Sequence, residues 1–466
     1  MPITAIAGKA DASSTNIILM MCDDLGYGDT GFNGNTIIKT PNLDQMAKDG
    51  VHLTHFYSVG PVCSPTRAAF LTGRHYYRMG VYTANRGHLP KEEYTIARML
   101  KAQGYATGHF GKWHLGTLST TISSKGERRR PEENFAPPWQ RDYDDSFVTE
   151  SATATWDPGI GKRAVNNAYY HNGVVETENL LGCDSRVIMD RAIPFIQKSV
   201  KEETPFVAVI WFHAPHEDIV AGPPYLKMYE GYGEAAHYYG CITGVDDQVG
   251  RLRKELDALG ISDNTAIFFC SDNGPEGKMF NDPDRPRRAG SAGEFSGRKR
   301  SVLDGGVRVP AFAMWPGKIK PGTTSDVPMS VLDYLPTVAE ITGADLLKGR
   351  LLDGENILPI LLGKKNTHTK PIPFRFNEFA CLVEGKFKLI IESPTSTAKD
   401  RLFDLSKDIK EQNNLVKKYP EKAQSMRKQI LEFLASAKAS HAGADYDTVG
   451  YEPVDPWNAL REKKSN

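Results

Sequence analysis

The sequence lacks an apolar run long enough to cross a membrane, although it extends over 466 residues. We therefore expect no membrane-embedded part. It also lacks an excess of either charge, because 57 Lys and Arg residues balance 57 Asp and Glu residues. This balance argues against a nucleic-acid partner held by bulk electrostatics, but it is compatible with a local anion site.

Paired cysteine motifs are missing as well. The six cysteines are scattered along the chain: Cys22, Cys63, Cys183, Cys241, Cys270 and Cys381. No CxxC or Cys/His spacing indicates a zinc site. Cys22 and Cys270 lie inside apolar runs and are expected to be buried thiols, whereas a disulfide that involves one of Cys183, Cys241 or Cys381 stays open.

No complete signal peptide begins the sequence. The first residues, MPITAIAGKADASS, are rich in alanine and other small residues. This composition is typical of the end of a signal peptide that has been trimmed. We therefore expect a periplasmic or secreted protein.

Short apolar runs alternate with amphipathic stretches over residues 1–365. The runs predict strands buried on both faces at 16–22, 105–111, 205–212 and 265–271. The amphipathic stretches predict helices at 40–50, 94–104, 185–199 and 238–260. This alternation predicts an α/β domain, with a large, mostly parallel β-sheet sandwiched by helices.

Two regions depart from this pattern. Residues 117–180 show little periodicity, and we interpret them as an irregular insertion that covers the sheet and faces the substrate. Residues 366–466 contain an alternating stretch with Gly385 near its turn, followed by an amphipathic stretch at 420–439. They predict a small C-terminal α+β domain with an antiparallel sheet.

Polar side chains follow each of the four predicted strands. In chain order they are Asp23 and Asp24, Lys112 and His114, His213 and His216, and Asp272 and Asn273. Ligands of open α/β sheets bind at the carboxyl ends of the strands. A single strand with a polar end would be an ordinary surface feature, but four of them predict a site at this edge.

The acidic and amide side chains of this set offer only oxygen donors: Asp23, Asp24, Asp272 and Asn273. Such donors suit Ca²⁺ or Mg²⁺ rather than zinc, and three clustered carboxylates would repel one another without a cation. For any one of them, a helix cap or a turn is the alternative. Lys112 and His114 are two residues apart, so in an extended segment they share a face and can reach one anion.

The segment PVCSPTRAAFLTGRH (61–75) raises a chemical mismatch. Ser64 and Pro65 predict the N-cap and first position of a helix, which places Cys63 just ahead of the helix N-terminus. Arg67 lies one turn further and suits a tetrahedral oxyanion. A thiol in this place is expected to have a lowered pKa and to be nucleophilic. A thiolate is nevertheless a poor neighbour for a hard cation with oxygen ligands.

CSPTRAAFLTGR resembles the C-x-P-x-R signature and the following T-G-R segment of type I sulfatases, in the alkaline-phosphatase-like superfamily. In that family the cysteine is oxidised to Cα-formylglycine by a formylglycine-generating or anaerobic sulfatase-maturating enzyme. The resemblance implies that Cys63 is the modified residue. MCDDLGYGD and SDNGPE imply, with residue 63, the ligands of Ca²⁺ (or Mg²⁺): Asp23, Asp24, Asp272 and Asn273.

Other family motifs imply the remaining roles. GKWHLG implies Lys112 and His114 in a sulfate pocket, FHAPHED implies His216 as the leaving-group histidine, and SGRKRSVLDGG implies Lys299 as a second active-site lysine. Two positions depart from the family pattern. Glu217 and Asp218 replace the usual Thr and Pro, which puts the mouth of the site in doubt, and Asp304 replaces a usual Glu and is expected to be structural.

The resemblance implies hydrolysis of a sulfate ester. The insertion at 117–180 and the basic loop at 281–290 favour a sulfated glycan, such as a bacterial polysaccharide, as substrate. Candidate substrate contacts are His213, Arg285, Arg287, Arg288 and His171. A solvated basic loop is an equally good interpretation of the arginines, and a structural role is the alternative for His109, His171 and His237.

Three other functions stay open. One is a broad aryl sulfatase, and another is a phosphomonoesterase or phosphonate hydrolase of the same superfamily. The C-x-P-x-R motif and the single set of oxygen ligands argue against the second. The third is a sulfated-glycan binder without activity, which the complete set of catalytic positions argues against.

Overall fold

The computed structural model describes residues 14–460 of the chain. The segment interpreted as a trimmed signal peptide therefore lies outside the described residues, apart from Ser14. Within the described range, no helix combines the length and the apolar character needed to span a bilayer.

The protein contains strands and helices in alternation. The strands are β1 (Asn16–Cys22), β2 (Val51–Leu53), β3 (Phe56–Tyr57), β4 (Ala106–Lys112), β5 (Asp145–Thr149), β6 (Tyr170–His171), β7 (Val174–Val175), β8 (Phe206–Trp211), β9 (Thr265–Ser271), β10 (Phe312–Met314), β11 (Thr323–Ser325), β12 (Met329–Ser330), β13 (Ile372–Phe376), β14 (Phe379–Glu384), β15 (Phe387–Ile391) and β16 (Arg401–Asp404). The α-helices are α1 (Pro41–Asp49), α2 (Cys63–Thr72), α3 (Ile96–Lys101), α4 (Lys162–Asn166), α5 (Asp184–Lys201), α6 (Pro223–Met228), α7 (Ala235–Ala258), α8 (Asp304–Val307), α9 (Tyr334–Thr342), α10 (Leu358–Leu361) and α11 (Pro420–His441).

A ten-stranded sheet forms the centre of the protein, in the order β11-β2-β10-β9-β1-β8-β4-β5-β6-β7. Its central strands β9, β1, β8, β4 and β5 are parallel, and β10 joins β9 in the antiparallel sense. The predicted fold class, a large and mostly parallel sheet with helices on both faces, is confirmed.

The strands are apolar on both faces because both faces are covered. Ile17, Leu19 and Met21 of β1 belong to the core that includes α2, α3 and α9. Ile18 and Met20 belong to the core on the opposite face, which includes α1, α5 and α7. A strand buried in this way shows a continuous apolar run rather than alternation.

All six cysteines are free and buried. The disulfide that the sequence left open for Cys183, Cys241 or Cys381 does not form.

The segment 117–180 is only partly irregular. Strand β5 extends the parallel sheet next to β4, and β6 and β7 continue the sheet to its edge. The sequence pattern does not predict β5, because the strand is short and Phe147 and Val148 are its only strongly apolar residues. Most of the remaining segment consists of loops and short helical turns.

A separate four-stranded antiparallel sheet, in the order β13-β14-β15-β16, lies in the C-terminal region. Gly385 occupies the turn between β14 and β15 with a φ of 58°, a conformation that favours glycine. Helix α11 packs on this sheet, and its Met426 and Ile430 belong to the same buried apolar cluster as Leu389 of β15. The domain boundary between residues 365 and 366 stays a prediction.

A buried ion network ties this second sheet to the first part of the chain. The Nζ atom of Lys388, in β15, lies 2.7 Å from Asp304 and 2.9 Å from Glu411, and none of the three side chains is exposed. Asp304 opens helix α8, and its backbone N–H donates to Glu411 at 2.6 Å. The structure thus gives Asp304 the structural role that its departure from the family pattern suggested.

We expect Lys388→Met to lower the free energy of unfolding by about 3–5 kcal/mol, because it leaves the buried Glu411 carboxylate without a cation and Asp304 with only Arg308, 3.4 Å away. Denaturant unfolding measures the loss. Lys386→Met is the matched control, since its half-exposed ammonium pairs with Asp404 at the surface and contributes about 1 kcal/mol or less. Equal losses in the two variants would contradict a structural role for this network.

Candidate functional site

The predicted polar residues meet at the carboxyl edge of the parallel sheet. Asp23 and Asp24 follow β1, Asp272 and Asn273 follow β9, and Lys112 ends β4. The N-terminus of α2 brings Cys63 to the same place, with its Sγ atom 3.3 Å from Asp23 Oδ1. The site is therefore assembled from strand ends, as the sequence predicted.

The local structure at Cys63 differs from the expectation. Cys63 is the first residue of α2 and Val62 is its N-cap, so the helix begins earlier than Ser64 and Pro65 predicted. The Ser64 hydroxyl does not cap the helix; it donates a hydrogen bond to the backbone carbonyl of His114 at 2.7 Å. This bond joins the start of α2 to the loop after β4.

The predicted lowering of the Cys63 pKa is wrong. Burial raises the pKa of the Cys63 thiol, and the negative charges of Asp23 and Asp272 raise it further against the opposing effect of Lys112 and Lys299. The helix N-terminus does not outweigh burial next to two carboxylates. An unmodified Cys63 is consequently a neutral thiol and not a thiolate nucleophile.

Each carboxylate of the site is paired with one buried cation. The Lys112 Nζ atom lies 2.5 Å from Asp23 Oδ2. The Arg67 Nη2 atom lies 2.8 Å from Asp272 Oδ2, and the Lys299 Nζ atom lies 2.5 Å from Asp24 Oδ1. These side chains are between 0 and 4% exposed, so water contributes little to their stabilisation.

The protonation of the carboxylates reflects this balance. Burial by itself would raise the pKa of Asp24, but the charge of Lys299 and its hydrogen bond to Asp24 hold it below its usual value. Burial and the nearby charge of Asp23 raise the pKa of Asp272 despite its contact with Arg67. The three carboxylates and the three cations balance in number, but burial and the proximity of Asp23 still disfavour the ionised form of Asp272.

The donor atoms fit a hard divalent cation. The Oδ1 atom of Asn273 is buried and finds no hydrogen-bond partner among residues 14–460, while its Nδ2 donates to Asp24 Oδ1 at 2.7 Å. Ligand atoms of Asp23, Asp24, Cys63 and His216 lie within 4.8 Å of one another. Carboxylate and amide oxygens of this kind suit Ca²⁺, with Mg²⁺ as the smaller alternative. A bound cation would accept the unpartnered amide oxygen and relieve the repulsion between the carboxylates.

Arg67 is fixed before any substrate arrives. Its guanidinium stacks on the Trp211 ring, 4.9 Å from the centroid, and its Nη1 donates to the backbone carbonyl of Lys112 at 3.1 Å. The Arg67 side chain has no exposed surface. Such a preorganised cation can stabilise charge on a bound oxyanion without reorganising.

His216 borders the cluster on the solvent side. Its Nε2 atom lies 3.8 Å from Asp24 Oδ2, and its Nδ1 donates to the carbonyl of Glu217 at 2.6 Å. Burial lowers the pKa of His216 to about 3 although Asp24 opposes the shift. The ring is neutral at physiological pH when no substrate is bound.

His114 belongs to the site, but not by the geometry that the sequence suggested. The chain leaves the extended conformation at His114, whose φ is 58°, so Lys112 and His114 do not share a strand face. The ring Nε2 lies 2.9 Å from Asn85 Oδ1, and Nδ1 is buried without a partner. Burial, and then the charges of Lys112 and Arg67, lower the pKa of His114 well below its usual value.

Two predicted substrate contacts are wrong. His213 has no exposed surface, and its ring nitrogens bind Asp184 at 2.8 Å and Thr149 at 2.7 Å, so it has a structural role. His171 binds Asp145, the first residue of β5, and therefore lies toward the sheet edge opposite the site. Their neighbours in the sequence suggested a site that their side chains do not reach.

The basic loop at 281–290 reaches the mouth of the site with its charge already paired. Arg288 lies 2.5 Å and Arg285 lies 3.5 Å from the Glu217 carboxylate. Arg287 turns away to Glu234 at 2.6 Å. Glu217, one of the two residues that depart from the family pattern, thus neutralises Arg285 and Arg288, two of the arginines predicted to bind substrate.

Sequence reasoning missed two residues that hold the site. Glu276 lies 3.7 Å from Lys299 and 2.6 Å from Arg300. Its place directly after SDNGP was a usable signal. Asn85, which holds His114, belongs to no motif and comes from a loop distant in sequence, so nothing in the chain alone could have identified it.

We expect Ca²⁺ to stabilise the protein and a chelator to reverse this effect. At a hundred times its dissociation constant, a bound ion adds about 2.7 kcal/mol, measurable as a rise in thermal unfolding temperature. Asn273→Ala should reduce this rise because it removes the unpartnered oxygen, whereas Asn413→Ala, at an exposed position, should retain it. A rise with Zn²⁺ alone, or an unchanged rise in Asn273→Ala, would contradict the assigned oxygen site.

Comparisons with known proteins agree with this geometry. The family model of sulfatases matches residues 15–344, and that of the C-terminal region of N-sulphoglucosamine sulphohydrolase matches residues 292–439. Arylsulfatase A of Bos taurus is 34% identical over 454 residues, which cover 89% of this chain and 86% of that protein. N-acetylgalactosamine-6-sulfatase of Canis lupus familiaris is 31% identical over 395 residues, which cover 80% of this chain and 71% of that protein.

A solved structure shows the same similarity. The crystal structure of Ps i-CgsB in complex with k-i-k-neocarrahexaose superposes with a TM-score of 0.78 at 26% identity, and it covers 90% of this chain and 92% of that one. The strand-end cluster and these relatives lead to one conclusion: the chain belongs to the sulfatase family of the alkaline-phosphatase-like superfamily and is an enzyme that hydrolyses sulfate esters.

Proposed function

We propose that the enzyme releases sulfate from a sulfated carbohydrate, with Cα-formylglycine made from Cys63 and with Ca²⁺ held by Asp23, Asp24, Asp272 and Asn273. The position of Cys63 supports this most directly. Its sulfur lies 3.3 Å from a carboxylate that would bind a hard cation, and burial keeps it a neutral thiol. A thiol fits this place poorly as a nucleophile, whereas an oxygen fits it well.

The modification and the cation would supply what the chain itself lacks. Formylglycine would provide an oxygen nucleophile at residue 63, and Ca²⁺ would provide positive charge for that oxygen and for the sulfate oxygens. Because Cys63 is 2% exposed, the formylglycine-generating or anaerobic sulfatase-maturating enzyme must reach it before the chain has folded.

The buried cations bind the sulfate group. Arg67, Lys112 and Lys299 surround residue 63, and each is held in place by a carboxylate before substrate binds. Their charges can stabilise the negative charge that spreads over the sulfuryl oxygens in the transition state.

His216 and Lys299 are placed to protonate the leaving alcohol. Both contact the carboxylate of Asp24, with His216 on the solvent side where the rest of the substrate must lie. Burial would lower the pKa of Lys299, but Asp24 outweighs it and raises the pKa, so Lys299 carries a proton. In the structure the neutral His216 ring donates its Nδ1–H to Glu217, so it must gain a proton on Nε2 before it can act, and the negative charge of a bound sulfate ester favours this. We assign the transfer to His216 in that protonated form, with Lys299 as the neighbouring donor that is charged throughout.

His114 is placed to accept a proton. The Asn85 Oδ1 acceptor binds the Nε2–H of His114, which leaves the lone pair on Nδ1. That nitrogen is buried without a partner, and the ring is neutral. We assign to it the proton whose removal from the modified residue 63 expels sulfate.

The carbohydrate substrate has support from the structural relatives. The Ps i-CgsB structure contains a neocarrahexaose. A second structure, which superposes with a TM-score of 0.75 at 25% identity, is of a protein connected with the metabolism of multiple glycosaminoglycans by Bacteroides thetaiotaomicron. A broad aryl sulfatase is the alternative that the similarity to arylsulfatase A favours. A phosphonate monoester hydrolase, at 19% identity, shares the fold alone.

We also propose a periplasmic or secreted location, because an enzyme there can reach extracellular polysaccharides.

The enzyme should hydrolyse 4-nitrophenyl sulfate much faster than 4-nitrophenyl phosphate, and a chelator of Ca²⁺ should reduce the faster rate. Cys63→Ala should lower kcat by more than about a thousandfold, because it removes the nucleophile. Colorimetric release of 4-nitrophenol measures all three. Preference for the phosphate ester, or full activity of Cys63→Ala, would overturn the proposed function.

Asn85→Ala should lower kcat at least about tenfold with a smaller change in KM, since it releases the His114 ring from the tautomer that accepts a proton. Asn85→Asp should restore much of the rate, because a carboxylate can accept the same Nε2–H bond. Steady-state kinetics separate the two constants. A rise in KM at constant kcat would instead show that Asn85 contacts the substrate.

A further inference from the structure

Most cations at the mouth of the site already have a carboxylate partner. Arg285 and Arg288 pair with Glu217, and Arg300 pairs with Glu276 at 2.6 Å. Their charges are therefore largely neutralised before a substrate binds. A substrate anion would have to compete with these carboxylates for them.

Lys125 differs from these arginines. It is exposed, and across residues 14–460 no carboxylate forms an ion pair with its ammonium. Its own backbone N–H donates to the Ser123 hydroxyl at 3.2 Å, which shapes the turn that carries it. Lys125 therefore presents an unpaired positive charge from a defined turn.

The turn that carries Lys125 is anchored to the catalytic loop. The hydroxyls of Ser123 and Ser124 donate to the Glu150 carboxylate at 2.6 Å and 3.0 Å. Glu150 follows β5 directly, and its backbone carbonyl accepts the N–H of His114 at 2.9 Å. Glu150 thus holds both the turn that carries Lys125 and the backbone of His114, which we place in catalysis.

Lys125 lies near charged groups of both signs. The positively charged neighbours are Arg163 and Lys112, and the negatively charged neighbours are Glu150 and Asp218. Lys112 lies inside the proposed sulfate pocket. The Glu150 carboxylate is occupied by the two serines, and Asp218 pairs with Arg163 at 3.5 Å. Partial burial, and then the neighbouring cations, lower the pKa of Lys125 below its usual value.

Arg163 completes the arrangement from the same insertion. Its Nη1 donates to the carbonyl of Glu217 at 2.6 Å, so it lies beside His216 on the leaving-group side of the site. Arg163 therefore borders the place where the sugar that carries the scissile sulfate must lie, and Lys125 lies near Arg163 on the turn that is anchored to Glu150. Arg163 has Asp218 as its partner but Lys125 has no carboxylate partner among the described residues, so the two cations together keep an excess positive charge that attracts an anionic ligand.

We propose that Lys125, supported by Arg163, binds a second anionic group of the substrate, a sulfate or a carboxylate close to the sulfate that is hydrolysed. This subsite rests on the proposed function, since it gives that function a substrate class: carbohydrates with at least two anionic groups. It also replaces the arginine loop as the recognition element for additional charge.

The test uses pairs of glucose, galactose and hexosamine sulfates that differ only by a second sulfate, and pairs that differ only by a carboxylate. The wild-type enzyme should show a higher kcat/KM for the doubly anionic member of the pairs that it hydrolyses. In Lys125→Ala, kcat/KM for that member should fall about tenfold more than for the singly anionic one, as expected for one charged hydrogen bond. The sulfate and carboxylate pairs distinguish the two kinds of anion.

Arg128→Ala is the matched control, because Arg128 is an exposed cation three residues further along the same segment. It should leave the preference of the enzyme unchanged. Equal losses on both members of a pair in Lys125→Ala, or equal effects of the Lys125 and Arg128 variants, would overturn the subsite.

A binding measurement separates this proposal from the proposed function. Calorimetry with the same sugars and the Cys63→Ala protein should show tighter binding of the doubly anionic members, and the added Lys125→Ala change should remove that difference. Binding without this difference would overturn the subsite even in an active sulfatase. Absence of sulfate release by the wild-type enzyme, together with a difference that depends on Lys125, would overturn the carbohydrate-sulfatase function and leave the anion subsite in place.

Discussion

The structure depends on one electrostatic constraint: three carboxylates are buried side by side at the end of a parallel sheet. Asp23, Asp24 and Asp272 each contact one cation that is itself buried, so no member of the cluster can be exchanged for a neutral residue without leaving a charge unpaired. The sheet makes this arrangement possible because adjacent parallel strands end at the same edge and deliver side chains a few ångströms apart.

The same constraint explains which features the sequence reveals. Strands β1 and β9 are buried on both faces, so their apolar runs give their bounds directly, and the acidic residues that follow them are conspicuous. The short strand β5 gives no such run and was missed. The protonation of Cys63 also could not be predicted, because it depends on how deeply the fold buries the helix start and which carboxylates lie beside it.

Side-chain direction sets the limit of prediction around the site. Cys63 and Lys112 were identified from motifs at a helix start and a strand end, and His216 and Lys299 from motifs in loops. His213 and His171 follow or lie in strands as well, but their rings turn to Asp184 and Asp145. At the mouth of the site, Arg288 pairs with Glu217 from a loop distant in sequence, and Lys125 has no such partner in the described part of the chain. No local sequence pattern encodes which of these charges is paired.

The central claim is that the working group at residue 63 is an oxygen nucleophile produced from a thiol that burial keeps inactive. Mass spectrometry of the peptide that contains residue 63, taken from enzyme of known specific activity, tests this most directly. We predict the mass of the aldehyde or its hydrate, in a fraction that rises in proportion to activity across preparations. Full activity in a preparation that contains only the unmodified thiol would contradict the account.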